Sequence, residues 1–455
     1  MAYNTQKIIF SISGVRGVAG KTLTKEVAKS LAEAFGAQVV GGSLIVGGDT
    51  RPSTGEIQSA VCAGLNSVGC SVIDAGVAPT PSIIYALRHL KLDGGIVVSA
   101  SHNPPEWNGL KFISKRGTIL FEDELNKLKK SFTRKRLRKT DKPAVIQLTR
   151  FDAAKLHLEA ILSFVDSETI RKAGLNVAID ACLGAGAAVT PHLLQRLGCR
   201  VLALNCIDSM TTQSGWMPID KSAEKLSHLV VEAGLDAGFL HDFDADRLIC
   251  VTENGEVVRE DYSLALIVDD VLKRRSGGVV VTNIASSLVF DHIAEKHGAK
   301  VVRTRVGEIN VVRRMMDLKA TVGGEGSCGG IIIPEFQYTR DGPLASAKIV
   351  EIMSRSGRKI SEILEEFPKY FLCKTEVPCS VDKYASVTRR LEEMFRGVKL
   401  DLIDGVKIHG RNEWVLVRPS NTEPLIRVMA EAESQSRAQE LCCSHEKTVR
   451  EALSQ

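Results

Sequence analysis

The sequence predicts an α/β protein: three consecutive βαβ-rich, mixed-sheet domains of similar architecture, then a smaller C-terminal α+β domain. Three observations carry this. Strand-like and helix-like segments alternate along most of the chain. The alternation restarts twice after polar stretches. The pattern changes from about residue 369, where short strands outnumber helices. A chain of 455 residues also exceeds what one ordinary core accommodates.

In the first domain, Thr24 precedes a helix carrying Val27, Leu31 and Phe35 on one face, with Gly36 as its stop. Leu44–Val46 is a strand. Ile57, Val61 and Val68 mark a second helix closed by Gly69, and Ser71–Ile73 is the next strand. Ile96–Val98 is a buried strand that stops at the polar cluster Ser99-Ala100-Ser101-His102-Asn103 and two prolines. The second module has a strand at Asn176–Asp180, a helix at Ala187–Leu197 and a strand at Val201–Leu204. The third has a strand at Val279–Thr282, a helix at Ser287–His297 and a strand at Lys300–Thr304. The tail has strands at Lys374–Val377, Trp414–Arg418 and Ile426–Glu431, a helix through Arg389–Phe395 and a closing helix. The predicted domains are 1–148, 149–256, 257–368 and 369–455.

Composition narrows the function classes. A net charge of +5, from 59 basic and 54 acidic residues, is too small to argue a nucleic-acid surface. The basic run Arg134-Lys135-Arg136-Leu137-Arg138-Lys139 reads as a solvated linker, with a polyanion site as its rival. The 11 cysteines lack Cys-x-x-Cys spacing, and most fall in apolar runs, which predicts reduced core thiols. There is no charged leader with an apolar stretch, and no run approaches ~18 apolar residues, so a soluble, cytoplasmic protein with no membrane partner is expected.

Four polar loops fall one to each domain. The first holds Ser101, with His102 beside it and Lys111 further on. The second is His241-Asp242-Phe243-Asp244-Ala245-Asp246-Arg247, just past Gly238-Phe239-Leu240. Three carboxylates at alternate positions can converge on one hard cation, and oxygen ligands suit Mg²⁺. Arg247 suits a phosphate on that metal. Rival readings are a solvated acidic turn, a phosphatase of the haloacid-dehalogenase kind with Asp242 as nucleophile, and an EF-hand. The EF-hand needs glycine where Arg247 stands. The third loop, Gly323 to Gly330, offers Glu325 and Ser327 to sugar hydroxyls, though a plain glycine-rich turn has the same composition. The fourth, Arg418-Pro419-Ser420-Asn421-Thr422-Glu423-Pro424 with Arg427, gathers arginines, hydroxyls and an amide fit to cradle a phosphate. Gly184 to Val189 mimics a dinucleotide fingerprint, but its third small position is Val189.

Together these loops resemble the α-D-phosphohexomutase family over the whole chain, in the family's order. The resemblance implies a central cleft between the four domains. It implies a phosphoryl-carrying Ser101, one Mg²⁺ held by Asp242, Asp244, Asp246 and Ser101, and Arg247 beside it. It also implies a sugar loop with Glu325 and Ser327, and a phosphate loop with Arg418, Ser420, Asn421, Thr422 and Arg427. Ser13-Gly14-Val15-Arg16-Gly17 resembles a segment that brings Arg16 to the site, and Lys111 matches a lysine near the reacting oxygen, a candidate general acid or base. Phe243 stands where the family has glycine, Gly48 where it often has arginine, Cys328-Gly329 where Gly-His is frequent, and Asn421 where glycine is common.

Ser13 to Val18, Asn103 to Gly109 and Val306 to Asn310 are most similar to the archaeal-type phosphoglucosamine mutase branch. The implied reaction interconverts glucosamine 6-phosphate and glucosamine 1-phosphate, with hexose 1,6-bisphosphate as activator. Relatives acting on mannose or glucose phosphates share these segments. A Mg²⁺-dependent phosphatase and a non-catalytic sugar-phosphate binder are the other classes. The expected partners are small sugar phosphates, in a monomer or homodimer.

Overall fold

Four sheets organise the described residues. The computed structural model describes residues 8–39, 41–134, 149–206, 219–275, 277–420 and 424–454. Lys135 to Lys139 of the basic run, and Asn421 and Thr422 of the phosphate loop, lie outside the described residues.

The first three sheets share one topology. The first orders Ser71–Val77, Ser43–Gly48, Gly94–Val98 and Trp107–Ser114. The second orders Arg200–Leu204, Asn176–Asp180, Ala237–Leu240 and Ile249–Thr252. The third orders Ala299–Thr304, Gly278–Asn283, Val322–Glu325 and Gly330–Ile332. In each, the first three strands are parallel and the fourth runs antiparallel to the third. This is a threefold structural repeat with no repeat in sequence. The first sheet adds Ile9–Ser11 and Gly14–Val18 beside Trp107–Ser114, and Thr149–Arg150 at its far edge. The fourth sheet is antiparallel throughout, in the order Phe371–Pro378, Leu425–Ala432, Trp414–Pro419, Val406–His409, Leu400–Asp401. It packs with the helices Tyr384–Met394 and Gln435–Ser454.

One apolar cluster runs from Ile45 to Phe367 through the first three units. The fourth has its own, centred on Val428, Val417 and Val449. The first three units are therefore parts of one packed body, while the fourth joins through a small patch of Ile284, Ala285, Trp414, Leu416 and Met429. A buried polar junction reinforces the larger body. Ser82 Oγ meets His157 Nδ1 at 2.8 Å, and His157 Nε2 meets Asp341 Oδ2 at 2.9 Å, one residue from each of three units.

The local sequence accounts for most elements. Thr24 caps Lys25–Gly36 by accepting from the Val27 N–H at 3.3 Å. Two expectations need correction. The helix expected at Ala187–Leu197 is a 3₁₀ turn, Ala185–Ala188, then an α-helix, Thr190–Arg196. Pro191 lacks an N–H and its ring would crowd the carbonyl of Ala187, so the helix must restart there. The helix expected from Ser287 begins at Val289, because the N–H of Ser287 is taken by Asp261 and its hydroxyl by the N–H of Val289. Among the described residues no helix is long and apolar enough to cross a membrane.

Candidate active site

The three predicted loops of the first three units occupy one topological position. Each connects the third parallel strand to the antiparallel fourth: Ser101 follows Gly94–Val98, the Asp242 loop follows Ala237–Leu240, and Glu325 ends Val322–Glu325. The repeat therefore delivers Ser101, the three aspartates and Glu325 from equivalent sheet ends, where α/β sheets hold ligands.

Ser101 is buried with φ of +51°, a left-handed conformation costing on the order of 1 kcal/mol outside glycine. Arg51 holds it there. Its guanidinium donates to the carbonyls of Ser101, of Asn103 at 2.6 Å, Pro104 at 2.7 Å and Trp107 at 3.1 Å, and pairs with Asp49 at 3.1 Å. Asp49 also accepts from Ser99 Oγ at 2.7 Å and Thr54 Oγ1 at 2.8 Å. This clamp was missed by sequence reasoning. Its signal was Asp49-Thr50-Arg51, a charged triplet at the end of an apolar strand. A Cβ at Gly48 would meet the Val98 oxygen at 2.6 Å, so a larger side chain does not fit there.

Asp242, Asp244 and Asp246 converge. One oxygen from each lies within 4.8 Å of the others. Ser101 Oγ donates to Asp242 Oδ2 at 2.5 Å, and Lys111 Nζ, on the strand Trp107–Ser114, donates to Asp244 and, at 2.9 Å, to Asp246. The Oδ1 atoms of all three aspartates are buried without a hydrogen-bond partner among the described residues. Buried unpaired carboxylate oxygens are costly, and a hard cation is what three of them together fit. Burial, and then the charges of Asp246 and Asp244, push the Asp242 carboxyl up. Burial would raise Asp246 too, but Arg340, Lys111 and Arg247 outweigh it and hold that carboxyl far down.

Neighbouring units grip this loop. The N–H of Thr80 donates to the Asp244 carbonyl at 3.0 Å and its hydroxyl to the Asp244 carboxylate, while the N–H of Gly342 donates to the Ala245 carbonyl at 3.1 Å. His241 joins the loop's ends, with Nδ1–H on the Arg247 carbonyl at 2.8 Å and Nε2 on Thr190 Oγ1 at 3.0 Å; burial lowers its pKa to about 4, keeping it neutral. Ala245, with φ of +51°, makes the left-handed turn, so Phe243 does not need to be glycine. Phe243 is buried and its ring lies 4.6 Å from the Arg51 guanidinium, which links metal loop to serine clamp.

The cations surround these carboxylates. Arg247 Nε stands 3.7 Å from Asp242 and 3.6 Å from Asp246. Arg16 donates to Asn103 Oδ1 at 2.5 Å; burial and then Arg247 lower its pKa to about 10, and it stays charged. Burial works against the Lys111 ammonium, but Asp244 and Asp246 more than offset it, so its pKa is raised. Held as an ammonium against Asp244 and Asp246, Lys111 can neutralise charge or give a proton. His102 Nδ1 lies 3.4 Å from Ser101 Oγ; Arg247, burial and Arg16 push the imidazole down to about 2, so it is neutral.

Glu325 accepts from the Gly307 N–H at 2.7 Å, Asn283 Nδ2 at 3.2 Å and Arg340 Nη1 at 3.1 Å; Asn283 also reaches Ser327 Oγ at 3.3 Å. Arg340, also missed from sequence, bridges the loops, because its Nη2 donates to Asp246 at 2.6 Å and Nη1 to Cys328 Sγ at 3.4 Å. In the fourth unit, Arg418 and Arg427 face each other across adjacent strands. Like charges directly opposite are unfavourable unless an anion joins them. Arg418 is buried, bound through Nε to Asp404 at 3.0 Å, and its Nη2 has no hydrogen-bond partner among the described residues; Arg427 Nε lies 3.4 Å from Glu376. Ser420 is buried at the strand end, its N–H on the Leu425 carbonyl at 2.9 Å.

A buried serine hydroxyl beside three carboxylates that fit a hard cation, ringed by fixed cations, suits phosphoryl transfer. Comparison with known proteins narrows the class. The four phosphoglucomutase/phosphomannomutase domain descriptions match in order: alpha/beta/alpha domain I over 7–139, domain II over 155–255, domain III over 259–371 and the C-terminal domain over 377–444. A phosphoglucomutase/phosphomannomutase of Thermococcus kodakarensis is 39% identical, covering 98% of this chain and 99% of its own. A probable phosphoglucosamine mutase of the same organism is 35% identical, again over 98% and 99%. The crystal structure of a phosphoglucomutase/phosphomannomutase family protein from Burkholderia thailandensis superposes with a TM-score of 0.86 at 25% identity, covering 98% of this chain and 97% of that one. The chain belongs to the phosphoglucomutase/phosphomannomutase family of α-D-phosphohexomutases, and it is a phosphohexomutase.

Proposed function

We propose that the chain moves a phosphoryl group between the 6- and 1-hydroxyls of a hexosamine, interconverting glucosamine 6-phosphate and glucosamine 1-phosphate. Phosphorylated Ser101 gives its group to the free hydroxyl, a bisphosphorylated sugar turns over in the cleft, and its other phosphate returns to Ser101. The carrying observation is the Ser101 hydroxyl on Asp242 at 2.5 Å, beside three buried carboxylate oxygens with no hydrogen-bond partner among the described residues. Asp242, Asp244 and Asp246 hold Mg²⁺ in this reading, and the metal supplies charge neutralisation at the transferring group. Lys111, Arg16 and Arg247 add fixed positive charge there, acting in place without reorganising. Neutral His102 orients the serine. Glu325 and Ser327 bind the sugar from either end, while Arg418, Ser420, Asn421, Thr422 and Arg427 hold the phosphate that is not reacting. Hexose 1,6-bisphosphate primes the serine. The four domains divide near 148, 256 and 368, and the protein works in the cytoplasm.

Glucosamine is supported by several archaeal relatives named as probable phosphoglucosamine mutases at up to 35% identity. A second reading, glucose or mannose phosphates, is favoured by the 39% identity to the phosphoglucomutase/phosphomannomutase. The test is ³¹P NMR of the protein with Mg²⁺, a trace of hexose 1,6-bisphosphate and, in parallel, glucosamine, glucose and mannose 6-phosphates. A 1-phosphate signal growing fastest from glucosamine 6-phosphate, without inorganic phosphate, is the expected result. Faster conversion of glucose or mannose 6-phosphate selects the second reading, and inorganic phosphate alone overturns both.

A further inference from the structure

Asp404 belongs to none of the four loops, yet it stands between two of them. It sits in the turn ahead of Val406–His409, and Gly405 fixes that turn against the Arg418 strand: its φ is +89° and a Cβ there would lie 2.3 Å from the Val417 oxygen. Asp404 Oδ2 accepts from Arg418 Nε at 3.0 Å and from the N–H of Val306 at 3.1 Å. The next amide, that of Gly307, donates to Glu325 at 2.7 Å. Two consecutive N–H groups therefore hold one carboxylate from the phosphate-loop side and one from the sugar loop. Glu308 follows, paired with Arg340 Nε at 3.2 Å, and Arg340 reaches Asp246. A continuous polar path runs from Arg418 to the metal loop through residues 306–308.

Arginine loses much rotamer freedom when it binds an anion, and fixing it beforehand lowers that cost. Asp404 occupies Nε, and the buried Nη2 has no hydrogen-bond partner among the described residues. We propose that Asp404 is a positioning residue for the mutase reaction. It orients Arg418 for the non-reacting phosphate and links that arginine, through the 306–307 peptide, to Glu325. The inference rests on the reading of Arg418 as a phosphate ligand. Its consequence concerns the bisphosphate intermediate, which must stay bound between two transfers. Without Asp404 the intermediate escapes more often, and the enzyme needs more added bisphosphate.

Steady-state kinetics on wild type, Asp404→Ala, Asp404→Asn, Arg418→Ala and the Asp404→Ala/Arg418→Ala double variant test this, using whichever hexose 6-phosphate the wild type converts fastest. Asp404→Ala is expected to raise the sugar-phosphate KM about tenfold, the size of a lost charged hydrogen bond. The hexose 1,6-bisphosphate needed for half-maximal rate should rise several-fold, with kcat at saturation changing less. Asp404→Asn keeps an oxygen acceptor without the charge and should fall between. In the Arg418→Ala background the Asp404 change should add less than about twofold. Wild-type KM and wild-type bisphosphate requirement in Asp404→Ala, or full additivity in the double variant, overturn the proposal. If Asp404→Ala does not fold, Asp404→Asn carries the same criteria. If Arg418→Ala alone leaves KM unchanged, the phosphate-loop reading falls and this proposal with it; if Arg418→Ala raises KM and the Asp404 variants do not, only this proposal falls.

Discussion

Arg51 reaches Ser101 from fifty positions earlier, and its effect is on the backbone. A buried guanidinium satisfying four carbonyls and Asp49 leaves the serine loop one conformation. Arg51→Ala would strand Asp49 as an uncompensated buried charge and free those carbonyls. The expected loss is on the order of 3–5 kcal/mol, read from the denaturant midpoint. A variant as stable as wild type would show that the clamp is dispensable. At this scale sequence exposes residues whose type and spacing carry chemistry, such as the three alternating aspartates. It hides Arg51, Arg340 and Asp404, because an isolated charged residue near a strand end has the same local signature whether it faces solvent or is buried among carboxylates.

The hairpin is the unit that places the loops. In the third sheet the pairing Gly324↔Ile331 and Glu325↔Gly330 sets which way Glu325 is presented. Gly324 has φ of +144°, and a Cβ there would lie 1.9 Å from the Gly330 oxygen. Gly324→Ala is therefore expected to cost more than about 1 kcal/mol and to raise the sugar-phosphate KM, measured by thermal melting and steady-state kinetics. Unchanged values for both would mean that the hairpin tolerates the side chain. Helices such as Lys25–Gly36 and parallel strands such as Asn176–Asp180 were legible from hydrophobic periodicity and caps, since those signals are local. Residues 323–325 were expected as loop, because their glycines carry no apolar signal, and belong to the parallel strand Val322–Glu325. The antiparallel fourth strands were less legible, and neither Trp107–Ser114 nor Gly330–Ile332 was expected. Trp107–Ser114 is buried at every position and so carries no alternation, and Gly330–Ile332 has three residues.

In the whole molecule, the fourth unit is attached to the third through few contacts, several of them polar. Glu431 accepts from Arg259 at 2.8 Å and from the N–H of Leu288 at 2.8 Å, and Lys407 Nζ donates to the Ile284 carbonyl at 2.7 Å, with Trp414 beneath it. Burial, and then Arg303, lower the Lys407 pKa to about 7. A lysine titrating near 7 in the folded state and near 10.4 unfolded binds fewer protons when folded. Its burial cost is thus full below pH 7 and is relieved as pH rises toward 10. Lys407→Met carries no such term. The melting temperature of Lys407→Met minus that of wild type should therefore fall steadily between pH 7 and 10; a difference constant with pH would contradict it. The threefold repeat was visible in sequence only as restarts of pattern. The joint between the third and fourth units was not visible at all, because it is made by residues about a hundred positions apart or more.

The central claim is that Ser101 carries the phosphoryl group. Wild type and Ser101→Ala would each be incubated with Mg²⁺ and hexose 1,6-bisphosphate labelled with ³²P, then mapped by peptide and assayed for mutase turnover. The account predicts label on the peptide containing Ser101 in wild type. In Ser101→Ala it predicts no label and turnover lower by ~10³-fold or more, with sugar-phosphate binding retained. Label on another residue, or wild-type turnover in Ser101→Ala, would contradict it.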